Sequence, residues 1–347
     1  MTAGPDLTQL VPALFGFAAF QQLRAASELQ LVEYLTLNGP STCDEVAEGL
    51  RLPEISARRL LLGTTALGIT VRTSGRYSPS APIRAAVEDG TWRLIRGVID
   101  FQHGLSYPAA RRYPESLRTG RNEGLGQLPG SGDDLYTRLG QTPELENLFY
   151  RGMHSWSELS NPVLLDQVDY GGVTDLLDVG GGDAVNATAL ARAHPHLKVT
   201  VLDLPSTVEV AKDTVAEAGL EERIDLVAGD MFTCSLGERF DAVLLAHQLV
   251  IWSPEQNQVL LTRAYESLRP GGRVLVFNAF ADDDGRGPLY AALDSVYFAT
   301  LPSAGSTIYR WQEHEEWLAS AGFVDVTRIE PGGWTPHGVV QGRKPDA

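Results

Sequence analysis

The chain has 347 residues, a formal net charge of −16, 43% hydrophobic residues and two cysteines, Cys43 and Cys234. So acidic a chain repels phosphate backbones and anionic lipid, which argues against nucleic acid as a partner, and two cysteines exclude a disulfide framework or a cysteine-rich zinc site, with no HExxH-type spacing among the histidines and so no metal expected. No run of about 18 apolar residues occurs and the first residues lack a basic signal-peptide region, so the expectation is a cytoplasmic protein with no membrane partner.

The N-terminal part, from about Leu10 to Val87, reads as helical. "FAAFQQLRAASELQLVEYL" carries apolar residues at helical spacing and is stopped by Gly39-Pro40. Ser41, followed three residues later by Asp44, comes close to a capping box. "PEISARRLLLGTTALG" is a further amphipathic helix, and "ITVRTSGRYSPS" reads as strand, turn, strand. Helices followed by a hairpin form a winged-helix-like pattern, but Arg58 and Arg59 give the would-be recognition helix little positive charge. A helical middle follows. Its richest basic stretch, "RRYPESLRTGR", reads as a solvated helix face. Two aromatic-rich stretches, "VIDFQHGLSYPAARRYP" with His103 and "LENLFYRGMHSWSELS" with Met153 and His154, suit core packing or an aromatic guest. The expected domains are 1–95, 96–170 as helical linker and substrate-lining region, and 171–347.

From Val173 short apolar runs alternate with helical stretches: "DLLDVG", "KVTVLDL", "IDLVAGD", "FDAVLLAH", "GGRVLVFNAF", "FVDVTRI" and "GVVQGRK". Five strands separated by helices predict a parallel Rossmann-like sheet, and the last two, joined by the loop "EPGGWTPH", predict an antiparallel hairpin at its edge. In such α/β sheets ligands bind beyond the carboxyl ends of the strands. Gly180, Gly181 and Gly182 follow the first strand, Asp203 ends the second, and Gly229-Asp230-Met231-Phe232 follows the third. Each has a plain reading as a tight turn or a loop acid. Together they suit an adenosine, with Asp203 on the ribose hydroxyls, Asp230 on the adenine amino group and Met231 on its ring. Val185 stands where GxGxxG would need its third glycine, and Asp183 would repel a pyrophosphate, so a zwitterionic or cationic ligand fits better.

The blocks "LLDVGGGDA", "VTVLDLPSTV", "IDLVAGDMF" and "LRPGGRVLV" resemble the signatures of S-adenosylmethionine-dependent small-molecule methyltransferases. The subgroup is the dimeric one typified by plant caffeate O-methyltransferases and bacterial polyketide and phenazine O-methyltransferases. The resemblance spans almost the whole chain. It implies a winged-helix-like dimerisation domain, a homodimer, and a Rossmann-like domain binding S-adenosylmethionine. It places Gly180 and Gly182 at the methionine part, Asp203 and Leu204 at the ribose, Asp230, Met231 and Phe232 at the adenine, and the Ala246 backbone against the cofactor, with Asp178 and Gly229 in the same blocks. The family often has glycine where Ala184 stands. A larger departure lies after the fourth strand. Aligning Trp252 with the tryptophan of the family's L-H-D-W puts Val250 at the general base and Ile251 at its acid, and Asn278 at the supporting glutamate.

His247 is the nearest substitute base, with His154, His103 and His314 behind it. Asp294 could orient a substrate hydroxyl or amine, and Met153, Trp252, Tyr297 and Phe298 could wall an aromatic ring. Three functions stay open: methylation of a ring carbon of a phenolic metabolite in antibiotic-type secondary metabolism, phenol O-methylation with a relocated base, and a catalytically silent regulatory dimer.

Overall fold

In the computed structural model residues 8–346 are described, and they divide into two compact units, 8–103 and 104–346. In the first, helices precede a hairpin of β1 (Thr70–Thr73) and β2 (Arg76–Pro79). The expected long N-terminal helix is broken in two, Gly16–Glu28 and Leu31–Asn38, because Gln30 turns left-handed at φ 55°. The reversal keeps Ala26, Leu31 and Leu35 on one core against Val46, Leu60 and Leu61. The capping box is one residue later than expected: Thr42 Oγ1 accepts from Glu45 N–H, and the Glu45 carboxylate accepts from Thr42 N–H.

The second unit is built on a seven-stranded sheet: β3 (Asp175–Val179), β4 (Lys198–Asp203), β5 (Ile224–Ala228), β6 (Phe240–Ala246), β7 (Leu268–Ala279), β8 (Val324–Ile329) and β9 (His337–Arg343). The order is β5-β4-β3-β6-β7-β9-β8. The first five strands run parallel, and β9 pairs antiparallel with both β7 and β8. One expected helix is missing, since residues 229–239 cross from β5 to β6 as turns. Nearly continuous apolar residues in β3, β6 and β7 are buried on both faces, one against Ala187, Leu190 and Ala211 and the other against Leu260, Leu261 and Leu318. Such double burial is what a parallel sheet covered by helices requires. The chain order reverses between β3 and β6, so a crevice opens at their carboxyl ends.

Candidate active site

The glycine turn stands at that crevice. Gly180 and Gly182 have φ of 68° and 61°, the left-handed region that glycine enters without penalty. A Cβ on Gly180 would lie 2.3 Å from Gln248 Nε2, the group that donates to Gly180 O at 2.9 Å. Gly180→Ala is therefore expected to cost about 1–2 kcal/mol of stability and to weaken ligand binding at the turn, which melting curves and calorimetric titration would read together. Ala184 also adopts φ 66°, so the departure from glycine there puts a strained, fully buried residue at the cap of the next helix.

Two carboxylates lie under this turn. Asp203 Oδ2 accepts from Gly182 N–H at 2.9 Å and its Oδ1 from Leu204 N–H at 2.7 Å. Burial raises its pKa. Asp178 is fully buried, and neither of its oxygens has a hydrogen-bond partner among the described residues. Burial first, and the Asp203 charge second, push it up to about 7. At the third strand end Asp230 is exposed and accepts from Phe232 N–H at 2.8 Å, which folds the loop back. Gly229 N–H donates to Asp203 O at 2.9 Å, tying this loop to β4. Phe232 meets Trp252 edge-on at 5.1 Å, and Tyr136 stacks on Trp252 at 6.2 Å.

Ala246 ends β6, buried, and His247 follows at φ 58°. Left-handed backbone at a bulky residue costs on the order of 1–3 kcal/mol and concentrates at functional sites. Here it is held by His247 N–H donating to Phe277 O at 2.7 Å. The ring packs on Phe277 and His337 at 5.0 and 5.1 Å, and burial pushes its pKa down to about 4, so it is neutral at physiological pH.

Val250 and Ile251, at the family's base and acid, anchor the loop through their carbonyls. Val250 O accepts from Thr307 N–H at 3.0 Å, and Ile251 O accepts the Ser303 and Ser306 hydroxyls at 2.6 Å. The other candidate histidines are placed as follows. His154 is not free to act as a base: its Nδ1 is 2.6 Å from Asp183 Oδ2 and its Nε2 3.4 Å from Glu158, and these bonds, Asp183 first, raise it to about 10. His314 is a core residue. It is fully buried, with Nδ1 on Arg310 O at 3.0 Å and Nε2 3.4 Å from the Asn278 amide, and burial lowers it to about 4. His103 lies in the π-helical turn Gln102–Ser106, in the first unit.

The helix Pro143–Ser160 crosses above the strand ends. It carries half-buried Met153, joins β4's loop through Tyr150 OH to Thr207 Oγ1 at 3.0 Å, and joins the glycine turn through His154. On the helix Leu289–Thr300, burial pushes Asp294 up to about 7, and the Tyr290 hydroxyl lies 3.5 Å from its carboxylate. Tyr297 is buried with its ring 5.1 Å from Phe298, which packs on Ala279, Ala291 and Ile308. Sequence reasoning missed Tyr136, Trp156, Gln248, Tyr290 and His337. An aromatic-rich stretch flagged the surroundings of Trp156, His337 reaches its neighbours through the β7–β9 register, and Tyr136, Gln248 and Tyr290 come from two helices and a loop that share no spacing in the sequence. A separate cavity of about 490 Å³ at the opposite rim is lined by Arg269, Arg273 and Arg343, and Arg269 and Arg343 are ion-paired with Asp175, Asp241, Asp325 and Asp346.

A family model for the O-methyltransferase domain matches residues 113–324. The chain belongs to this O-methyltransferase family. This methyltransferase is 44% identical over 337 residues to an L-tyrosine C(3)-methyltransferase of Streptomyces lavendulae, covering 96% of the chain and 92% of the relative. It is 60% identical to the S-adenosylmethionine-dependent methyltransferase SibL, solved in its apo form, with a TM-score of 0.89 over 98% of this chain and 100% of that one. Human N-acetylserotonin methyltransferase, solved in complex with S-adenosylmethionine, is 25% identical with a TM-score of 0.84 over 99% of both chains. The cofactor of this methyltransferase is S-adenosylmethionine. The residues fit it. A buried carboxylate with two unpartnered oxygens is costly alone and is offset by a cation. The open space beside Gly182, where a Cβ would meet nothing within 4 Å, admits a close approach, and Asp203 retains lone pairs for a diol. Among the described residues no helix is long and apolar enough to cross a membrane.

Proposed function

We propose that this methyltransferase alkylates a ring carbon ortho to the hydroxyl of a small phenolic amino acid. The likeness to an L-tyrosine C(3)-methyltransferase over 96% of the chain carries the reading. The ring-walled site and the replacement of the family's histidine and acid by Val250 and Ile251 support it.

S-adenosylmethionine, when bound, supplies an electrophilic methyl group on a sulfonium. In this reading Gly180 and Gly182 bind its amino-acid part, with Asp178 as the negative charge at the turn. Asp203 and Leu204 bind the ribose, Gly229 lets the third loop approach, and Asp230, Met231 and Phe232 bind the adenine, with the Ala246 backbone alongside. Trp252, Tyr297, Phe298 and Met153 orient the acceptor ring, and Asp294 receives the substrate's ammonium or hydroxyl. Alignment is the main demand of an in-line displacement, and rigid walls meet it. His247, held in place by its left-handed backbone at the end of β6, is the group we assign to take the phenolic proton, which raises electron density at the ortho carbon. His154, already charged, positions the glycine turn through Asp183.

Incubation with methyl-labelled cofactor and a panel of phenols and phenolic amino acids tests this reading. An aryl methyl in the product NMR spectrum is expected. A methoxy group would establish oxygen as the acceptor, and label in no product would favour a silent binding protein. We also propose homodimerisation through the N-terminal unit, where Leu14, Phe15, Phe17, Leu37 and Leu62 are exposed apolar residues.

A further inference from the structure

We infer that His337 is a second proton-accepting group for the phenol, acting beside His247. The inference rests on the reading that the acceptor is a phenol. His337 opens β9 opposite Ala279, the last residue of β7, so the antiparallel register lifts it to the same rim as His247. The two imidazoles meet edge-on at 5.1 Å with planes at 84°. Both pack on Phe277, and Trp156 and Tyr290 close on His337 at 5.9 and 6.1 Å. His247 Nε2 and His337 Nδ1 are buried, and neither has a hydrogen-bond partner among the described residues. Each buried polar atom left unpaired costs about 1–3 kcal/mol. Ring packing alone would be met by apolar residues without that cost, so two such nitrogens in one aromatic cluster point to a polar guest.

A phenol hydroxyl is a guest that satisfies both. It donates its O–H to one ring nitrogen and accepts N–H from the other imidazole. On transfer the O–H bond breaks and an N–H bond forms, leaving imidazolium against phenolate. Two imidazolium ions so close in an apolar pocket would repel, so the pair holds at most one proton. The phenolate pushes an electron pair through the ring, the ortho carbon bonds the methyl, and the methyl–sulfur pair stays on sulfur. That carbon then gives up its hydrogen as a proton to water, its C–H pair restores the aromatic ring, and the imidazolium returns its proton to the oxygen. The net yield is one proton per methyl transferred.

The test uses 3-nitro-L-tyrosine, a phenolic amino acid whose ionised form absorbs visible light, with the full-length protein and demethylated cofactor. Wild-type protein is expected to shift the bound probe toward phenolate below the pH at which the free probe ionises. His337→Gln, which cannot take a proton, is expected to reduce that shift at least several-fold and to lower kcat for the methylated phenol by about 10²-fold, with KM changed far less. A wild-type protein that leaves the probe as protonated as in water overturns the inference, whether or not the variant folds. So does a folded variant with the wild-type shift and kcat within twofold. Failure of the wild type to methylate any phenol in the labelled assay would instead defeat the functional reading.

Discussion

His247→Ala is expected to lower kcat by roughly 10²–10⁴-fold, the range that a positioned base contributes. The cofactor's affinity should stay within a few-fold. The ring is held at the end of β6 by a left-handed backbone and by Phe277, so its position is set before substrate arrives. Burial lowers its pKa to about 4, which has a definite sign. The neutral, proton-accepting form persists at neutral and alkaline pH and is lost as pH falls through about 4. The wild-type rate should therefore show no acid limb from this group across pH 6–9. Single-turnover kinetics on the variant read the chemical step directly. Unchanged turnover across that range would remove His247 from the mechanism.

Asp178→Asn is expected to separate stability from binding. The unfolded carboxyl ionises near pH 3.9, whereas the buried one is pushed to about 7. Between these values the folded protein holds a proton that the unfolded chain lacks. This group's contribution is thus most favourable below about pH 4 and is lost as pH rises through 7. Removing the carboxylate should stabilise the cofactor-free protein at pH 8 by on the order of 4 kcal/mol and flatten its melting temperature between pH 5 and 8. The same change should weaken S-adenosylmethionine at least tenfold, because the buried anion beneath the glycine turn no longer offsets its positive charge. Melting curves against pH, paired with calorimetric titration, check both halves. A variant destabilised at pH 8, or one with wild-type affinity, would contradict the assignment.

Much of the α/β unit was legible because strands buried on both faces leave continuous apolar runs, and because glycine and aspartate at the ends of β3, β4 and β5 have few other reasons to coincide. Local chemistry was harder to read. The break at Gln30 obeys packing of Leu31 and Leu35, not the propensity of the sequence around it. The true N-cap, Thr42, lies beside an equally suitable Ser41. The crossing from β5 to β6 without a helix leaves no periodic signal to find. Histidines were the least legible. His154 finds Asp183 from 29 residues away, His314 finds Asn278 from 36, and His337 reaches His247 only through the β7–β9 register. None of these pairings has a spacing that could be recognised in advance.

The acceptor we propose is the ring carbon beside a phenolic oxygen. The most direct measurement is mass spectrometry of the product from L-tyrosine deuterated at both carbons ortho to the hydroxyl. Methylation at carbon predicts a product that gains one methyl and loses one deuterium. A methylated product that keeps both deuterium atoms would contradict it.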